Sequence, residues 1–144
     1  MRKILVPMDG SGSAMRALAC ALTLGNVLKE GEIHLLNVRL PLMDFDIATG
    51  GDPSAIEQAS AMHLTAGTRL LESAITLLDR ADVRHIEAVR MGEPAGCIAD
   101  YAREIRCDAI VMGTRGLGPV AGLVMGSVAV KVVHLVDMPV TLVK

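Results

Sequence analysis

The chain has 144 residues, enough for one domain around a single core. It is 51% hydrophobic and 21% charged with a net charge of -2, which describes a compact soluble protein and gives no electrostatic case for nucleic acid. One Phe, one Tyr and no Trp leave nothing from which to build a stacking platform for unpaired bases.

At the N-terminus, MRKILVPMDG has two basic residues but only a short apolar stretch before Asp9, too short for a secretory core, so a cytoplasmic protein is expected. Lys3 to Met8 reads as a buried parallel strand, ended by the turn Asp-Gly-Ser-Gly. From Ser13, Ala14, Ala17, Leu18, Ala21, Leu24 and Leu28 recur at helical spacing, and Gly31 follows. Ile33 to Val38 is the second strand. The aperiodic stretch RLPLMDFDIATGGDP is a loop.

Asp52 and Pro53 form an N-cap and a first-turn proline. The long helix that follows is expected to turn one stripe inward: Ile56, Ala59, Met62, Ala66, Leu70, Ala74 and Leu77. Val83 to Met91 alternates apolar and polar residues, which suits a strand at a sheet edge. Glu93-Pro94 opens a helix with Ile98, Ala99, Ala102 and Ile105 inward. Asp108 to Met112 is the fourth strand, Val128, Val132, Leu135 and Val136 mark a last helix, and Val140 to Val143 close the chain after Pro139. Strands alternating with helices predict an α/β fold, an open doubly wound five-stranded parallel sheet with helices on both faces, spanning 1–144 as one domain.

Between the fourth strand and the last helix lies GTRGLGPVAGLVMGSV, residues 113–128. Gly118, Gly122 and Gly126 have the spacing of a membrane helix seam, but only fifteen uncharged residues separate Arg115 from Lys131, four of them glycine. That is too short to span a bilayer. In a doubly wound sheet, ligands bind beyond the strands' carboxyl ends where the winding reverses, and this loop and Pro7-Met8-Asp9-Gly10-Ser11 both belong there. Glycines at such a place either let backbone N–H groups reach a phosphate or allow tight helix-on-sheet packing. Gly126-Ser127-Val128 at a helix start suits a terminal phosphate. Gly116, Gly118 and Ala121 match GxGxxG/A by letter, but they stand late in the chain and enclose Pro119. No GK[ST] of a Walker loop occurs. Arg115, the only charge in the loop, reads either as a partner that neutralises phosphate or, narrowly the better reading, as a solvated residue. The three cysteines and four histidines are scattered without metal-ligand spacing, and the cysteines read as reduced core residues.

Gly113-x2-Gly116-x9-Gly126-Ser127, preceded by Ile110-Val111-Met112 and joined to ILVPMDGS near the start and MPVTLV at the end, closely resembles the universal stress protein family along the whole chain. The resemblance implies strand order 3-2-1-4-5, a dimer and ATP binding. It implies that Pro7, Met8 and Asp9 line the nucleotide, that Val38 meets the adenine, and that Met112 and Gly113 flank the ribose. Gly116, Gly126, Ser127 and Val128 would hold the triphosphate, with Mg2+ or Mn2+ coordinated mainly through phosphates. Asp9 either approaches that ion or hydrogen-bonds the base or ribose.

The leading expectation is an ATP-binding regulatory protein of stress response, whose occupancy modulates its conformation or partners. The alternatives are a slow ATPase or self-phosphorylating protein with Ser127 as acceptor, for which no catalytic base is evident, and a dimerisation module with a vestigial pocket. The edge strand Val140 to Val143 is expected to pair with its copy in a twofold homodimer.

Overall fold

The structure, a computed structural model, describes residues 3–24, 30–42, 50–116 and 125–144. The elements in chain order are β1 (Lys3–Pro7), α1 (Gly12–Thr23), β2 (Glu32–Arg39), α2 (Pro53–Arg80), β3 (His85–Met91), α3 (Pro94–Glu104), β4 (Ala109–Gly113), α4 (Ser127–Leu135) and β5 (Val140–Val143). They build a five-stranded sheet in the order β3-β2-β1-β4-β5, every neighbouring pair parallel. The chain winds outward from β1 through β2 to β3, then returns to the other side of β1 with β4. The winding therefore reverses between β1 and β4.

β1 reads as a continuous apolar run because both its faces are covered. Ile4 and Val6 enter the core shared with α1 and α2, whereas Leu5 enters the core under α3 and α4. Along α1, Ala14, Ala17, Leu18 and Ala21 are buried as expected, while Leu24 is the C-cap and 38% exposed. Leu28, Gly118, Gly122, Pro119 and Ala121 lie outside the described residues.

Helix α2 corrects the expected stripe. Ala74 is buried as expected, but the other buried residues, Gly67, Leu71 and Leu78, stand one position on from Ala66, Leu70 and Leu77, of which Leu70 and Leu77 are half-buried. Ala66 is exposed and Met62 is 73% exposed. The seam runs through a glycine because α2 presses there on the sheet: a Cβ on Gly67 would stand 2.7 Å from Val89 Cγ1 and 2.9 Å from Asn37 Oδ1. At the far end of α4, Leu135 is 43% exposed, and Ala129 and Val132 carry the packing. Ile105 is the C-cap of α3 and half-buried. Cys107 is buried, whereas Cys20 and Cys97 reach only partial burial; all three are free thiols.

At the amino end of the sheet, Glu32 Oε1 lies 3.1 Å from His34 Nε2 and 3.5 Å from Lys3 Nζ, and Oε2 lies 3.6 Å from Arg84 Nη2. His34 Nδ1 in turn meets the Tyr101 hydroxyl at 3.1 Å. The His34 hydrogen bond, with the positive charges around it, holds the Glu32 carboxyl below its ordinary 4.5, against the opposing effect of burial. A carboxylate depressed on folding adds stability above its unfolded pKa, and that contribution disappears as pH falls through the folded value. The urea midpoint of the wild type should therefore exceed that of Glu32→Gln at pH 7, with the two converging below about pH 4.5. Equal midpoints at pH 7 would remove Glu32 from the stabilising set.

Candidate functional site

Three segments meet above the reversal point. The first is the exit of β1. Met8 N donates to Leu36 O at 2.8 Å and Asn37 Nδ2 to Met8 O at 2.7 Å, so both backbone groups of this buried methionine are fastened to β2. The chain then turns at Asp9, whose Oδ1 accepts the Ser11 N–H at 2.9 Å. Gly10 follows with φ +84°, a conformation that disfavours side chains. Ser11 caps α1, its hydroxyl accepting from Ala14 N at 3.2 Å.

The second segment is the exit of β4. Thr114 N donates to Val143 O at 2.8 Å, continuing the pairing with β5, and the Ser13 hydroxyl donates to the carbonyl of Arg115. Gly113 is required by proximity, since a Cβ there would stand 2.5 Å from Ser13 Oγ and 3.0 Å from its backbone carbonyl carbon. Gly116 faces Asp9, whose Oδ2 would lie 2.7 Å from an added Cβ.

The third segment is the start of α4. Gly126 N donates to Thr114 O at 2.6 Å, closing the two ends of the glycine-rich loop upon each other. Helices α1, α2 and α3 are each capped by a side chain, Ser11, Asp52 and Glu93, but Gly126 supplies α4 with no such hydrogen bond. First-turn N–H groups have no acceptor within their own helix, so α4 presents donors and a positive dipole end.

These segments enclose a cavity of about 610 Å³, within the usual range for a small-molecule site. Among the described residues, Pro7, Met8, Asp9, Val38, Met112, Gly113, Gly116, Gly126, Ser127 and Val128, the residues that the family resemblance singles out, all line it. Met8 and Met112 are nearly buried and form its floor; Gly116 and Ser127 are exposed at its mouth. The wall also includes Ala14, Leu36, Leu40, Pro94, Ile98, Thr114 and Ala129, together with Arg115, which is exposed and lines the cavity at once. Thr114 sat inside the quoted loop and Pro94 at a visible helix start; Leu36 and Ile98 look like ordinary core residues by type, so nothing in their spacing marked them.

Chemically, one end is aliphatic, through Leu36, Val38, Leu40, Pro94 and Ile98; the other gathers glycine backbone, Thr114, Ser127 and the α4 start. Asp9 and Arg115 are the only charged residues among the described lining. Beside the cavity, Glu93 accepts from Gly96 N at 2.7 Å, and that bond, aided by Lys131, lowers its carboxyl from the ordinary value despite some desolvation. Among the described residues no group of three His, Cys, Asp or Glu side chains is placed to hold a metal ion, and no helix is long and apolar enough to cross a membrane.

The family model described as "Universal stress protein family" matches residues 1–144. A universal stress protein of Thermus aquaticus is 33% identical over 150 residues, covering 99% of this chain and 98% of the relative. Among solved structures, a universal stress protein family protein from Arabidopsis thaliana with AMP bound aligns with TM-score 0.69 at 21% identity, covering 100% of this chain and 92% of the other. A universal stress protein in complex with cAMP aligns with TM-score 0.69 at 23% identity, covering 99% and 97%. With the family match running from the first residue to the last on the same parallel sheet order, the chain belongs to the universal stress protein family.

Proposed function

We propose that the cavity binds an adenine nucleotide, ATP foremost, and that occupancy modulates the conformation or partners of a cytoplasmic stress-response regulator acting as one domain over 1–144. The observation that carries this reading is the division of the cavity: an aliphatic end, and a glycine-built end onto which the uncapped α4 opens. AMP and cAMP in two proteins of this fold support the adenine assignment.

In this reading the adenine lies against Val38 and the residues around Pro7 and Met8, and Met112 and Gly113 flank the ribose. The phosphates lie on Gly116, Gly126, Ser127 and Val128. One Asp9 oxygen already accepts the Ser11 N–H, which leaves the other for ribose, base or ion. Mg2+ or Mn2+ would arrive with the nucleotide and be held mainly by phosphate oxygens and water, since the lining offers a single carboxylate.

Titration calorimetry with magnesium present should give saturable ATP binding, weaker binding of adenosine, and heat of neither kind with inorganic phosphate at equal concentration. No ATP binding at millimolar nucleotide would sink the reading. Because Tyr101 is the only strong near-ultraviolet chromophore, nucleotide retained through purification should appear as an absorbance maximum near 260 nm.

We also propose a twofold dimer through β5. Its four residues are all half-buried and pair only with β4 on one side, leaving backbone groups of the other edge without a strand among the described residues. Light scattering should return twice the chain mass; a monomer at high concentration would contradict this.

A further inference from the structure

We infer that Ser13 is a positioning residue for the phosphate end of the cavity: its hydroxyl latches the carbonyl of Arg115 and thereby turns the N–H of Gly116 toward the ligand. This rests on the proposed nucleotide reading, to which it adds the device that orients one backbone donor.

The direction of the hydrogen-bond chain follows from its ends. Ala14 N–H can only donate, and it donates to Ser11 Oγ at 3.2 Å. The Arg115 carbonyl can only accept, and it takes the Ser13 hydroxyl proton. Between them Ser11 Oγ and Ser13 Oγ lie 3.1 Å apart. With its own proton committed to Arg115, Ser13 must accept there, so Ser11 donates. Both serines are only 7% exposed, so water does not compete freely for either hydroxyl.

A trans peptide carries its C=O and N–H on opposite edges of one plane. In the peptide joining Arg115 to Gly116, the oxygen edge faces α1 through Ser13. The nitrogen edge is therefore the opposite one, and Gly116 N lies close to the α4 start, 3.9 Å from where a Cβ on Gly126 would stand, at a position that lines the cavity. Such a peptide inverts easily when the following residue is glycine, because φ of either sign is accessible. Inversion would replace a donor by a carbonyl oxygen in front of an anion. The glycine that admits phosphate thus needs a latch on the preceding carbonyl, and Ser13 provides it from a different element, 102 residues away.

The test uses the full chain, Ser13→Ala, and two ligands. ATP affinity should fall about tenfold, the scale of one hydrogen bond to a charged group, while adenosine affinity stays within about twofold. A general loss of structure would weaken both alike, and that result overturns the inference. In the wild type, independently of any variant, the Gly116 amide proton should move downfield on adding ATP but not adenosine; an unmoved amide in ATP-saturated protein also overturns it. Without ligand, Ser13→Ala should shift the Arg115 carbonyl carbon upfield as its donor is lost. If wild type binds no nucleotide, the pocket reading fails, and this last measurement still decides the latch: an unchanged carbonyl resonance refutes it.

Discussion

Replacing Gly126 by valine should weaken ATP binding by between about tenfold and a hundredfold while the protein still folds, corresponding to about 1–3 kcal/mol of overpacking. The backbone of Gly126 is itself undemanding, with φ -74° and ψ 158°, so the loss does not come from a strained dihedral. It comes from what surrounds the missing side chain. A Cβ would stand 3.3 Å from Thr114 O, 3.6 Å from Arg115 Cα and 3.9 Å from Gly116 N, all of them backbone atoms that have no rotamer in which to retreat. Two further methyl groups must either push residues 114–116 away from the α4 start or project into the cavity. Both outcomes separate the donors that an anion needs together. Calorimetry with ATP and adenosine in parallel reads the effect: a larger loss for ATP locates the damage at the phosphate end. Unchanged ATP affinity would show that this mouth takes no part in binding.

The largest stability effect is expected at Leu71. Its side chain is fully buried between α2 and the sheet in the core that also holds Ile33, Leu35, Ala74 and Leu78. Leu71→Ala should cost about 2–5 kcal/mol, the range for a buried leucine whose cavity collapses only partly. For a chain of this size the melting temperature should fall by roughly 10 °C. Leu70→Ala provides the contrast. Leu70 is half-buried and packs over the turn at Gly10, so its loss should cost less than half as much. The comparison tests the rotation of α2 directly; a larger loss at Leu70 than at Leu71 would favour the phase expected from the sequence.

That phase marks where sequence reading stopped. The strands were legible because buried parallel strands are short apolar runs closed by turn residues, as in Lys3–Pro7 and Ala109–Gly113, whereas their order across the sheet came from the family resemblance. For α2, following apolar letters from Ile56 produced a stripe that drifted one residue out of register. Two physical features account for the error. The position of closest approach is Gly67, which contributes no apolar side chain and so carries no weight in such a count. The helix is also longer than its support: 28 residues extend about 42 Å, whereas β2 and β3, with 8 and 7 residues, run only about 25 Å. Apolar residues on the unsupported part, Met62 among them, have no sheet to enter.

The cavity was legible wherever backbone decides its shape. Gly113, Gly116 and Gly126 stand where side chains would collide, and Pro7 to Asp9 stand where β1 must end. The aliphatic side was not. Leu36 and Ile98 are core residues by composition and line the cavity only because α3 packs against β2, which no local pattern reports. The hydroxyl chain from Ser11 to Arg115 was hidden for the same reason, since it links the first helix to the fourth strand's exit.

The central position of β1 also bears on how the molecule is made. Among the five strands β1 comes first in the chain, yet one of its flanks is completed only by β4, beginning at Ala109. Until residues 109 and 110 have been made, Ile4 and Leu5 lack the neighbours Ala109 and Ile110 that complete this side of the sheet. Closure of that gap comes late in chain order, and the cavity between β1 and β4 can form only with it.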